Sequence, residues 1–135
     1  MEGDYSSEKQ VNTLLELLPA EARNLPSRVF KTAVERVVLV TATENTDGSV
    51  EEYAGFNKGV YQPHIHDDVD SEIIVVAGEG VFYLGDQHIP YQKGAVFTVP
   101  RGVAHGLEAF SGTWLFAKLS GHIYDPKTKI SDFRY

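Results

Sequence analysis

His64 and His66 stand one residue apart, and a third histidine, His105, follows on a later segment. A His-x-His pair on a β-strand points both rings to one face, because side chains alternate with period 2. A third imidazole from another strand completes three nitrogen ligands for one divalent metal. Such a site suits Fe(II), Mn(II), Ni(II), Co(II) or Zn(II), and affinity order alone does not choose among them. Its open coordination positions would polarise a substrate oxygen or water. The chain has no cysteine, which removes disulfides, thiolate catalysis and sulfur ligands.

The elements that must position these rings read mostly as strands. Val34 to Thr43 is rich in β-branched residues and ends at the turn Asn45-Thr46-Asp47-Gly48, with Ser49 to Phe56 as its hairpin partner. Further strands are expected at Tyr61 to His66, Ile73 to Ala77, Val81 to Leu84, Ala95 to Val99, His105 to Phe110 and Thr113 to Leu119. Glycine-containing turns separate most of them, a pattern that argues an all-β sandwich or barrel. Before them, Ser6 or Ser7 caps a short helix whose Val11, Leu14, Leu15 and Leu18 share one face, and Pro19 ends it. The division is a helical extension over 1–27, a barrel over 28–123 and a tail over 124–135, one domain in all.

Composition narrows the partners. A formal net charge of -7 argues against nucleic acid and against an anionic membrane surface. No apolar run approaches the roughly 20 residues that span a bilayer. The first residues carry neither the basic nor the apolar segment of a secretory signal, so a cytoplasmic protein is expected.

Two frames around the histidines carry a resemblance. Gly94 through Pro100, Gly102 and His105 match G(X)5PxG(X)2H(X)3N except at the last position, where Ala109 stands. His64 and His66 with Gly78 match G(X)5HxH(X)3-4E(X)6G, with Gly59 one residue closer to His64 than that pattern asks. The chain thereby resembles the cupin superfamily. The resemblance implies a jelly-roll (double-stranded β-helix) barrel, a homodimer, and one divalent metal held by His64, His66 and His105. It also implies a glutamate. Strict spacing puts that position at Ser71, whereas the actual glutamate is Glu72, one residue late and therefore on the opposite strand face unless the preceding loop is bulged. Ser71-Glu72-Ile73-Ile74 resembles the family's Glu-Ile-Ile segment, so Glu72 is the expected fourth ligand. Without it the site has three histidines, as in some thiol dioxygenases of the superfamily.

Three functions stay open. The first is a metal-dependent oxidoreductase, dioxygenase-like, with a largely apolar pocket for a small molecule; Val60, Val75, Phe82, Phe97, Leu107, Trp114 and Phe116 are its candidate apolar residues. The second is a metal-assisted isomerase, epimerase or lyase on a sugar or small acid, needing a general acid or base such as Tyr61, Tyr83, Gln62, Lys118 or Arg101. The third is a non-catalytic small-molecule-binding module. Gln62, Trp114 and Phe97 are the expected substrate-binding residues. Gln62 shares parity with His64 and His66 and should face inward, and Tyr61 outward. His88 and His122 are expected to serve packing or surface.

Overall fold

Alternation of apolar and polar residues produces two antiparallel sheets in this computed structural model, which describes residues 14–31, 36–125 and 130–135. The strands are β1 Ser27–Lys31, β2 Arg36–Glu44, β3 Val50–Phe56, β4 Gly59–His64, β5 Ser71–Ala77 and β6 Gly80–Leu84. They continue as β7 Gln87–Tyr91, β8 Val96–Val99, β9 His105–Ala109, β10 Thr113–Leu119, β11 Tyr124–Asp125 and β12 Ile130–Ser131. One sheet has the order β1-β2-β3-β10-β5-β8, the other β4-β9-β6-β7, with β11-β12 a separate ribbon. Two strands have weak sequence signals, β1 and β7. Strand β7 contains Pro90, which a strand tolerates at a sheet edge, and β7 ends its sheet.

The two sheets close on one core in a jelly-roll barrel. Tyr61, Phe82 and Leu107 of the four-stranded sheet pack against Ile73, Val75, Phe97, Val99 and Leu115 of the six-stranded one. Phe82 and Phe97 stack with ring centroids 4.2 Å apart.

The larger sheet is covered on its outer face as well. Leu14, Leu18 and Ala22 pack there on Val38, Val40, Tyr53 and Trp114. Each fully buried leucine contributes about 2 kcal/mol. Trp114 is wholly buried, and its indole N–H donates to the Leu14 carbonyl at 2.7 Å. Gly55 lies opposite it, and a Cβ there would stand 2.7 Å from the indole ring. The outward side of β10 thus serves the N-terminal segment, and Trp114 does not reach the barrel interior. Leu14 and Leu15 are helical, but Glu16 to Leu18 are already turn and bend, so the helix ends earlier than Pro19 implied. The expected helical residues before Leu14 lie outside the described residues. After Pro19 the chain makes a 3-10 turn at Ala20–Ala22. No helix among the described residues is long and apolar enough to cross a membrane.

Candidate metal centre

Strands β4 and β9 bring the first and third histidines together, with His64 and His105 as cross-strand partners. Between that pair and the next, Tyr61 with Leu107, strand β4 has an extra residue: Gln62 and Pro63 face the single Gly106. This β-bulge inverts the parity of everything before it. Tyr61 is therefore buried and faces the barrel interior, while Gln62 and Val60 are exposed. The inward Gln62 and outward Tyr61 expected from simple alternation are both corrected. Gly106 makes the bulge possible. A Cβ on it would lie 2.6 Å from the Tyr61 carbonyl oxygen and 2.9 Å from the Pro63 nitrogen.

His66 lies just beyond β4 and is fixed from two directions. The Pro100-Arg101-Gly102 turn reaches it, with Gly102 N–H donating to the His66 carbonyl at 2.8 Å. Gly102 has φ of 80°, a left-handed conformation that favours glycine. Arg101 clamps the same loop through Asp70, Nη2 to Oδ2 at 2.9 Å. From the other direction comes the C-terminal segment. Ile65 and Arg134 exchange backbone hydrogen bonds, Asp132 accepts the N–H groups of Asp67 and Asp68, and Arg134 pairs with Asp67 at 2.8 Å.

The three rings converge. A ring nitrogen from each of His64, His66 and His105 lies within 4.8 Å of the others. Each Nδ1 meets a backbone carbonyl, which can only accept, so each Nδ1 carries the proton. The partners are Asp132 at 2.6 Å for His66, Val103 at 3.1 Å for His105 and, more weakly, Gln62 at 3.4 Å for His64. That tautomer leaves each Nε2 with a lone pair. Burial, and then His105 and His66 beside it, push the His64 ring down to about 3. Burial pushes His105 down to about 4. His66 is lowered by burial too, partly offset by the Asp132 carbonyl. At neutral pH all three are uncharged donors, the state a divalent cation requires. Three imidazoles with oriented Nδ1 protons and no thiolate fit a borderline cation such as Zn(II), Fe(II) or Ni(II).

The cluster forms the wall of a cavity of about 120 Å³. Most of its lining is apolar: Phe56, Ile73, Phe82, Leu107 and Leu115 among others. Phe133 of the tail also lines it and stacks on His64, centroids 4.5 Å apart. Two charged residues share the cavity. Arg28 donates from Nη2 to Glu52 Oε2 at 3.0 Å and from Nη1 to Thr41 Oγ1 at 2.8 Å. Burial pushes the Glu52 carboxyl up, against the opposing pull of Arg28 and Thr41.

A family model described as a cupin domain matches residues 56–113, the stretch that holds all three histidines. Over that stretch the chain is similar to the cupin family. Solved structures agree in fold. The nucleoside dehydratase Pac13 of Streptomyces is 18% identical, with 80% of this chain covering 82% of that one at a TM-score of 0.59. A protein described as a predicted oxalate decarboxylase from Thermotoga maritima is 14% identical, with coverage of 76% and 97% and a TM-score of 0.64. An RmlC-like cupin from Shewanella frigidimarina is 20% identical, with coverage of 69% and 82% and a TM-score of 0.59. No curated protein sequence matches the chain.

Within this barrel the remaining expected residues fall apart from the cluster. Glu72 is exposed, and the residue on the inner face is Ser71, buried and lining the cavity. The reason is register. Ser71 to Ile74 pair with β8 without a slip, and Ser71 to Ile73 pair evenly with β10. The bulge of β5 comes later, at Val76, opposite the step from Trp114 to Leu115. It therefore leaves Glu72 on the outside. Phe97 is buried in the core against Phe82 and does not line the cavity, and Trp114 belongs to the outer core. His88 is exposed, and His122 sits 3.5 Å from Glu44.

Among the cavity residues absent from the sequence reading are the two charged ones, Arg28 and Glu52, and Phe133. Glu52 had a signal: it shares strand parity with Val50, Ala54 and Phe56, where a carboxylate is out of place. Phe133 had none, because its contact to His64 is a matter of tertiary packing.

Proposed function

We propose that this protein is a mononuclear metal-dependent oxidoreductase, dioxygenase-like, that transforms a small molecule held in its barrel. His64, His66 and His105 hold the ion. The observation that carries this reading is the convergence of three neutral imidazoles, each proton-oriented by a carbonyl, on the wall of an apolar cavity. A bound divalent ion would supply open positions for a substrate oxygen and for dioxygen. The protein's own part is to orient the three rings, to exclude water with Phe133 and the apolar walls, and to keep the cluster uncharged.

A second reading, a metal-assisted isomerase or lyase, is favoured by one feature, the buried Glu52 carboxyl in the same cavity. Its raised pKa suits a general acid. Oxygen consumption separates the two. Fe(II)-loaded protein given a panel of small organic acids should take up dioxygen only when a substrate is present, and uptake should vanish in His105→Ala. Substrate turnover without oxygen uptake would move the assignment to the second reading. The setting belongs to the same proposal: a homodimer in the cytoplasm. It is supported by the edge position of β8 and its exposed Val96, and light scattering of the purified protein tests the dimer.

A further inference from the structure

We infer that Arg28 and Glu52 are a second recognition point in the cavity, binding a neutral hydroxyl of a short-chain acid whose anionic end meets the histidine cluster. The inference rests on the metal reading above and adds the substrate class to it.

The Glu52 side chain is buried at the cavity while that of Arg28 is about a third exposed, so the pair reaches from the surface into the apolar lining. A carboxylate there needs a reason, because hydrophobic residues of similar volume commonly serve stability as well or better. Strands β1, β2 and β3 are already joined by their own ladders, so the pair is not what holds them. Arg28 also brings more donors than its partners accept. Nη2 serves Glu52 and Nη1 serves Thr41, but Nε is buried without a hydrogen bond, the one such side-chain atom among the described residues. Native interiors rarely leave a buried donor unmatched. An oxygen acceptor from a ligand satisfies it.

Charge selects the kind of oxygen. The charges of Arg28 and Glu52 cancel one another. An ion held by His64, His66 and His105 would put positive charge at the histidine end, so an anionic group belongs there. The Arg28–Glu52 end suits a neutral group that accepts from the guanidinium and donates to the carboxylate. A hydroxyl does both.

Geometry sets the length. Arg28 and Glu52 stand on β1 and β3 of one sheet, His64 and His105 on β4 and β9 of the other. Facing sheets lie about 10 Å apart, a gap that a chain of a few carbons bridges. The small cavity volume excludes bulky compounds.

The test uses Ni(II)-loaded full-length protein, with nickel stoichiometry measured first. Calorimetric titrations then compare butyrate with 4-hydroxybutyrate and hexanoate with 6-hydroxyhexanoate. In at least one pair the hydroxy acid should bind about ten times more tightly. In the double variant Arg28→Met with Glu52→Leu, which leaves no unpaired charge and no polar partner from either residue, nickel stoichiometry and plain-acid affinity should hold. The preference should be lost or reversed, since a hydroxyl in an apolar site without a partner is disfavoured. A thermal melt confirms that the variant folds. Equal affinity for both members of each pair, or a preference that survives the double variant, overturns the inference. A chain that takes up no nickel defeats the metal reading and this inference with it, and that failure is read before any acid is added.

Discussion

The Nδ1–H of His66 donates to the backbone carbonyl of Asp132 at 2.6 Å, so the chain's last residues orient one of its three candidate ligands. The neighbouring Phe133 stacks on His64. Outer partners of this kind fix ring orientation and raise donor strength, and their loss typically costs 10–100-fold in metal affinity. Removing residues 132–135 should therefore weaken Zn(II) binding by about that factor in a competition titration. Phe133→Ala, which spares the Asp132 carbonyl, should weaken it less. Equal affinity in all three proteins would show that the tail plays no part in the site.

Strand register makes a prediction about the carboxylate. Glu72 is exposed on β5 and Ser71 faces the cavity, so Glu72→Ala should leave metal occupancy unchanged. Ser71→Glu should raise affinity by adding an anionic oxygen on the inner face. Occupancy by elemental analysis reads both, and a loss of metal in Glu72→Ala would contradict this register.

The histidines, their spacing and the glycine turns were legible in the chain because each follows from local rules of strand parity and turn geometry. At Tyr61 and Gln62 a single-residue irregularity was responsible for the difference. One extra residue between Tyr61 and His64 exchanges the faces of Tyr61 and Gln62, and alternation alone cannot reveal it. The even pairing of Ser71 to Ile74 with β8 puts Ser71 inside and Glu72 outside. Trp114 looked like a pocket residue because an inner and an outer core draw on the same strand; its neighbour Leu115 turns inward instead. Asp132 and Phe133 reach the site only by tertiary packing.

The bulge itself predicts a stability effect. Gly106→Ala would place a methyl group 2.6 Å from the Tyr61 carbonyl oxygen, against backbone rather than a flexible side chain. Overpacking of this kind costs about 1–3 kcal/mol. Thermal denaturation should show a melting point lower by several degrees, at about 2–8 °C per kcal/mol for domains near this size. An unchanged melting point would mean that the bulge relaxes freely.

Acidification should destabilise the metal-free protein through the histidines. The folded values of His64 and His105, about 3 and about 4, lie below the ordinary 6.5, so the unfolded chain binds more protons between those limits. Stability therefore rises with pH across that window and is lost as pH falls from 6.5 toward 4. Asp67 and Asp70, held low by Arg134 and Arg101, add a loss only below the ordinary carboxylate value of 3.8. Melting curves from pH 7 to pH 4 should show this slope, and the double variant His64→Gln with His105→Gln should flatten it. An identical slope in that variant would place the effect elsewhere.

Metal stoichiometry is the most direct measurement. Metal-free protein dialysed against Zn(II) or Ni(II) and analysed for bound metal should hold about one ion per chain, the number one three-histidine cluster accommodates. His64→Ala, His66→Ala and His105→Ala should each lose it while keeping the fold by circular dichroism. Wild-type protein that retains no metal, or variants that retain as much as wild type, would contradict the metal centre at His64, His66 and His105.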